Sequence, residues 1–295
     1  MAKRTILVDS ARRELEKHGT ENFPMTVNHD DLWSFEGKNV PIHWHNDLEI
    51  NLIREGEAVF QVYQKSYRVR TGEGFLLNRN VPHSCSSPGN EHVRYSTILV
   101  RPDFLYGDFG SDVERKCFQP FLQNSAIPCI YLTGFDENGK EILQKLNQVE
   151  EAFDRKRFCY ELKIKGLLCE AFAMILYGHR QELTKFVPAN LQELERLEKM
   201  LNYLNMHFTE VISLQDLADQ VHLSREVCCR LFKKMTGKTI TGYLEEYRVN
   251  KSFSLVQSGQ YGEAAAFTIV LITIAFTVLK LAQWVLGKQG IELEL

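Results

Sequence analysis

The side chains best equipped for chemistry are bunched in one short stretch, HWHNDLE, His43 to Glu49. Two imidazoles stand one residue apart, and a carboxylate follows four residues after the second. These groups can hold a metal, line a pocket for a small polar molecule, or serve as ordinary strand chemistry. Along an extended strand alternate side chains share a face. His43, His45, Asp47, Glu49 and Asn51 are therefore expected on one side, with Trp44, Leu48, Ile50 and Leu52 on the other. A small barrel can hold one ligand inside, so an inward-looking polar face suits a wet pocket. Gly56 ends the strand in a turn, and TGEGFLLNRNVPHS offers a further strand ending in Pro82-His83.

Short strands must position these residues. From about Val40 to about Val100, apolar alternations are broken by the turn signals REGEA, QKS, RTGEG, NRNVP and SSPGN. That pattern predicts a small antiparallel barrel or sandwich. From about Glu141 to Arg180 the period becomes helical, with Ile142, Leu146, Val149 and Phe153 on one face. Leu162, Ile164, Leu167, Leu168, Ala171, Phe172, Ile175 and Leu176 make a second helix that is apolar over much of its girth. It reads either as a core helix or as one that also serves a dimer interface. KFVPAN, Lys185 to Asn190, looks like a linker.

Beyond it, Leu191, Leu194, Leu197, Leu201, Leu204 and Phe208 keep one helical face. Ser213 with Asp216 resembles a capping box, and Leu214, Leu217, Ala218 and Val221 fill the inner face of the helix that follows. After the short turn HLS, Ser224 caps another helix, which Gly237 ends. Helix, short turn, helix is the geometry of a helix-turn-helix.

The 295 residues suffice for roughly two domains. Hydrophobic and charged contents of 44% and 25% are those of a soluble globular protein. With a formal net charge of -3, any nucleic-acid surface must be local. The seven cysteines are scattered without a C-x-x-C pair, which reads as free thiols in a reducing compartment. The N-terminus lacks an apolar signal-peptide core, so the expected location is the cytoplasm.

HWHNDLEINLIREG resembles the first cupin motif: His43-x-His45, three residues, Glu49, six residues, Gly56. GEGFLLNRNVPH resembles the second, which brings His83, although the usual glycine two residues after the proline is missing. In metal-binding cupins the three histidines and the glutamate are ligands. The resemblance thus makes His43, His45, Glu49 and His83 the candidate ligands of a divalent metal such as iron, manganese, zinc or nickel. With Asn51 the same four are the candidate effector-binding residues, and no other cofactor is expected.

LADQVHLSREVCCRLFKKMTGKTITGYLEEYRVNKSFSLVQSG is similar to the AraC/XylS family of transcription regulators. The resemblance covers most of the chain, since many members place a cupin sensor ahead of a two-helix dimerisation segment. Between Ser224 and Lys238, Arg225, Arg230, Lys233, Lys234 and Lys238 stand against a single acid, Glu226. Val227, Leu231 and Met235 are expected to face the core, and Cys228 to be packed. Ser224 begins the DNA-binding set as the cap. Arg225, Glu226, Cys229 and Arg230 are base-edge candidates, and Lys233 and Lys234 are phosphate contacts.

Family members carry a second helix-turn-helix after a linking helix, here Tyr243 to about Gln257. The chain continues instead with an apolar tail from about residue 262, in which only Lys280 and Lys288 are basic and AAAFTIVLITIAFTVL, Ala264 to Leu279, is uncharged. A damaged C-terminus, a diverged packing segment and a membrane anchor compete as readings. The anchor is the poorest, because the run falls short of about 18 continuous apolar residues.

The expected fold class is α+β. A cupin-type antiparallel β-barrel with N-terminal arm (1–135) precedes a helical dimerisation segment (136–184) and a linker (185–190). An all-α helix-turn-helix domain (191–295) follows, its second unit degenerate. The expected function is a sequence-specific, DNA-binding transcription regulator responding to a small-molecule effector, a sugar or related metabolite by the resemblance. Its expected partners are double-stranded DNA, that effector and a second copy of the chain, with no membrane. No catalytic residues are expected. The competing reading is a metal-dependent cupin enzyme, an oxygenase or isomerase, which leaves the helix-turn-helix unexplained.

Overall fold

The computed structural model describes residues 4–9, 11–89, 91–185 and 191–257. Residues 186–190 of the expected linker and the tail from about residue 262 lie outside the described residues.

Among the described residues nine strands form two antiparallel sheets. β1 (Met25–Asp31), β8 (Arg94–Val100), β3 (Leu48–Glu55), β6 (Gly74–Leu77) and β9 (Cys129–Leu132) make the larger one, in that order. β2 (Val40–His43), β7 (His83–Ser86), β4 (Glu57–Val62) and β5 (Lys65–Arg70) make the smaller. β1 and β9 lie outside the region where turn signals are dense, and only pairing reveals them. Gly56 joins β3 to β4 at a φ of +82°, where an added Cβ would come within 2.3 Å of the His92 carbonyl oxygen. No other residue fits that turn without a shift.

Alternation along β3 separates two cores. Leu48, Ile50 and Leu52 pack outward with Leu146, Val149, Leu168 and Phe172 of the helical hairpin α3 (Glu137–Arg155) and α4 (Tyr160–Gly178). Ile53 points inward with Phe60, Phe75, Leu77 and Tyr95, and the Phe60 and Phe75 rings stack at 4.8 Å between the two sheets. The helix periods read from the sequence hold except at two positions: Leu162 is 72% exposed and Leu214, expected on the inner face of its helix, is 36% exposed. Short helices α1 (Pro102–Tyr106), α2 (Gln119–Leu122) and α5 (Arg180–Thr184) complete this part of the chain.

The helices α6 (Leu191–Met206), α7 (Leu214–Gln220) and α8 (Arg225–Thr236) follow. Leu197, Met200 and Leu204 of α6 are buried, as are Leu217 and Ala218 of α7 and Cys228, Leu231, Phe232 and Met235 of α8. Cys228 Sγ lies 3.4 Å from Met200 Sδ. α9 (Ile240–Gln257) is the expected linking helix. The described residues divide into two compact units, one running to Met206 with Ser213–Ile240, the other His207–Ile212 with residues 241–257. Among the described residues no helix is long and apolar enough to cross a membrane.

Candidate functional site

One correction concerns the opening stretch. His43, His45 and Glu49 do not share a strand. At about 3.3 Å per residue, a strand would spread positions 43 to 49 over about 20 Å. Instead β2 ends at His43, the chain bends through Asn46 and Asp47, and β3 begins at Leu48 in the other sheet. His83 opens β7 as the register partner of His43. One ligand atom from each of His43, His45, Glu49 and His83 then lies within 4.8 Å of the others, and all four residues are buried.

Glu49 is the hub. His45 Nε2 is 2.7 Å from its Oε2, and His83 Nε2 is 3.1 Å from the same oxygen. Asn51 Nδ2 donates to Oε1 at 2.7 Å, and Thr97 Oγ1 donates to Asn51 Oδ1 at 3.1 Å. The register of β1, β8 and β3 sets Asn28, Thr97 and Asn51 in one row across the sheet. His43, Glu49, Asn51 and His83 line a cavity of about 80 Å³, while His45 reaches it through Glu49.

The other ring nitrogens fix the tautomers. His43 Nδ1 meets the Pro41 carbonyl at 3.0 Å, His45 Nδ1 that of Asp47 at 3.1 Å, and His83 Nδ1 that of Val81 at 2.8 Å. A carbonyl only accepts, so each Nδ1 carries the proton. In the neutral ring Nε2 then offers a lone pair open to an ion, whereas a hydrogen bond to the Glu49 carboxylate needs a proton on Nε2. Burial, followed by the neighbouring His83 charge, pushes His43 down to about 3. Burial works to raise Glu49, but the neighbouring His83 charge and the hydrogen bond with His45 outweigh it and hold the carboxyl well below its usual range. Burial likewise disfavours a charged His83, yet the Glu49 charge prevails and raises it. His83 Nε2, though close to Glu49, lies off hydrogen-bond geometry and is a buried nitrogen without a partner.

These residues fit a transition metal. Three imidazole Nε2 atoms and one carboxylate suit a divalent ion, and Nδ1–H bonds to backbone carbonyls are the outer support such ligands need. A bound ion would supply positive charge and positions for exchangeable ligands. His29, Glu150 and Asp154 form a second group of ligand type, but it is largely exposed and already tied up. Glu150 pairs with Arg54, and His29 Nε2 lies 3.0 Å from Asp154 Oδ1. That group clasps α3 to the sheet.

Among the cavity residues that escaped the sequence reading are Glu14 and His18, from the N-terminal arm. The arm is held by Trp44, the residue between the two histidines. Glu14 N donates to the Trp44 carbonyl at 2.9 Å, Trp44 N donates to that of Arg12 at 3.1 Å, and Trp44 Nε1 donates to that of Ala11 at 3.1 Å. His18 Nε2 lies 3.2 Å from Glu14 Oε2, with both side chains under a tenth exposed. Burial opposes both charges, but their mutual hydrogen bond prevails, lowering Glu14 and raising His18. The Glu14-x-x-x-His18 spacing was the available signal, hidden in a charged stretch that reads as solvent-facing.

The candidate DNA-binding residues lie at the cap and along one face of α8. Ser224 Oγ accepts from Val227 N at 3.4 Å and caps α8. Arg225, Glu226, Cys229, Arg230, Lys233 and Lys234 are all exposed, opposite the buried face of α8. Val227, expected in the core, is only partly buried. Lys234 Nζ bonds Glu193 at 2.6 Å, so a phosphate would compete with that carboxylate. In the second unit Arg248 Nε and Nη2 donate to the Phe208 and Glu210 carbonyls at 2.7 and 2.8 Å. Tyr247 meets Phe208 edge-on at 5.3 Å. The Tyr247-Arg248 pair is thus a local staple.

A double-sheet domain with a polar cavity, followed by a helix-turn-helix with a basic outer face, defines the class: a ligand-binding domain coupled to a DNA-reading one. Residues 32–172 match the family model described as an AraC-like ligand binding domain. The HTH-type transcriptional regulator YdeC of Bacillus subtilis is 27% identical over 255 residues, 86% of each chain. The HTH-type transcriptional activator RhaR of Escherichia coli is 21% identical over 219 residues, 73% of each. Apo ToxT from Vibrio cholerae is similar at a TM-score of 0.41 and 15% identity, over 81% of this chain and 84% of that one. Residues 32–172 thus form an AraC-like ligand-binding domain, and the chain as a whole is similar to HTH-type transcriptional regulators.

Proposed function

We propose that the chain binds operator DNA through α8 and that a small ligand in the cavity sets its occupancy. The observation that carries the DNA part is the outer face of α8. Arg225, Glu226, Cys229 and Arg230 sit in its N-terminal half, the part that enters a major groove. Lys233 and Lys234 follow one turn on, placed for phosphates. A metal-dependent oxygenase or isomerase would give this face no role.

A sugar suits the amide and hydroxyl groups of Asn28, Asn51, Tyr95 and Thr97. Its size argues against it while the arm covers the cavity. The chain acts as a homodimer in this reading, through the outer stripe of α4. The tail from about residue 262, with only Lys280 and Lys288 as bases, neutralises few phosphates, so operator binding is weaker than with two reading units.

Operator affinity measured across salt concentrations tests the DNA reading. Arg230→Ala is expected to cost about 1–3 kcal/mol and relax specificity at one base, whereas Lys233→Ala lowers the salt slope by about 1 on every sequence. Unchanged affinity and slope in both variants contradict it. Grafting a regular second unit is expected to raise affinity at fixed salt, and equal affinities would sink the weakened-binding reading.

A further inference from the structure

We infer that the tip of the β4–β5 hairpin is a docking site for the helix-turn-helix, seating Gly237 at the end of α8, and that β4 carries changes at the cavity wall to that contact. For its effect on DNA the inference rests on the reading of α8 given above. Tyr63 and Gly237 fall in one compact unit. Gly237 follows α8 at a φ of +72°, and its N–H donates to the Lys233 carbonyl at 3.0 Å. A Cβ added there would stand 2.4 Å from the Tyr63 carbonyl oxygen and 2.6 Å from Gln61 Nε2. Glycine is therefore needed twice, for the left-handed turn and for the close approach of the hairpin.

The hairpin tip is built to hold its shape. Gln61 Nε2 donates to the Tyr63 carbonyl at 2.7 Å, and Ser66 Oγ donates to Gln61 Oε1 at 2.6 Å. Tyr63 and Gln64 form a two-residue turn, with Tyr63 at a φ of +52°. Such a turn ordinarily takes asparagine, aspartate or glycine there. A bulky residue stays in that region only where its surroundings hold it. Here the Tyr63 ring packs on the inner core of the sheets. Burial, followed by the nearby Cys129 and Glu193 groups, pushes its phenol up to about 12. Glu193 belongs to α6 and bonds Lys234 of α8 at 2.6 Å, so the tip meets both helices.

Strand β4 links this contact to the cavity. Phe60 lines the cavity, and Gln61 follows it directly. Val62 pairs with His83, another cavity residue, across β4 and β7. From Phe60 to Tyr63 the strand covers about 10 Å at about 3.3 Å per residue. A ligand that displaces the Phe60 ring therefore shifts a short, paired strand whose far end abuts Gly237. Close-packed contacts of this kind transmit strain and do not absorb it. The N-terminal arm takes no part in this route.

The test uses the full chain and reads amide exchange at residues 61–66 and 237–240, together with operator affinity. Gly237→Asn keeps the left-handed cap, which asparagine tolerates, but brings a Cβ against the Tyr63 carbonyl. Exchange at residues 61–66 is expected to quicken roughly threefold or more. Faster exchange confined to residues 233–240 reports a strained cap alone and overturns the docking. Phe60→Leu, with Phe60→Met as the milder second variant, alters the cavity wall. It is expected to change exchange at 237–240 and operator affinity by roughly twofold or more in the chain with Gly237, and neither in the Gly237→Asn chain. The same change in both backgrounds, or none in either, overturns the role of β4. No operator binding by any of these proteins, with exchange as expected, overturns the DNA reading of α8 and supports the docking contact by itself.

Discussion

His43 and His83 are register partners across β2 and β7, and their ring centroids lie 4.3 Å apart. Two imidazoles that close cannot both carry charge in a buried site without an anion. Glu49 is that anion, arriving from the opposite sheet.

Removing Glu49 should therefore cost more than any other single change in the cavity. Glu49→Ala leaves His45, His83 and Asn51 facing a buried gap, at about 3–5 kcal/mol. Glu49→Gln keeps the shape and is expected to cost about 1–3 kcal/mol. Urea unfolding of the full chain measures both, and equal values would show that the charge contributes nothing.

Leu146 on α3 is fully buried between the helical hairpin and the larger sheet. Leu146→Ala should destabilise the chain by about 2–5 kcal/mol through lost burial and the cavity it leaves. The denaturation midpoint is the readout, and a shift worth under about 1 kcal/mol would mean the hairpin packs loosely.

At the start of α8 the Ser224 hydroxyl satisfies one amide that the helix itself leaves unpaired. Ser224→Ala should cost about 0.5–2 kcal/mol of stability, and Ser224→Asp should restore most of it. Thermal melts of the three proteins decide. No loss in the alanine variant would assign Ser224 to DNA contact alone.

On α4, Leu162 and Tyr177 are 72% and 70% exposed, and Gly166 between them has open space where a Cβ would stand. On the homodimer proposed above, Leu162→Glu together with Tyr177→Glu should shift sedimentation from dimer to monomer without lowering the melting temperature. A variant that stays dimeric places the interface elsewhere.

Much of this was legible beforehand because it depends on local chemistry. The period of α3 and α4, the caps Ser213, Ser224 and Gly237, and the basic outer face of α8 all follow from spacing within one turn or one helix. The cavity residues were legible by type, since His43, His45, Glu49, Asn51 and His83 carry the motif. Their arrangement was not. A single strand period would have spread them apart, and the bend at Asn46–Asp47 that gathers them is set by pairing to two different sheets. Glu14 and His18 were illegible for a related reason: nothing within residues 4–18 says that Trp44 will hold them down.

The sequence by itself determined which elements form and which residue types are on hand, because propensity, capping and periodicity act over a few residues. Only the tertiary structure decided which of them meet. Register between β2 and β7, the crossing from one sheet to the other, and the arm laid on Trp44 are contacts between distant positions. Their geometry is fixed by packing the two cores together, and local sequence carries no record of it.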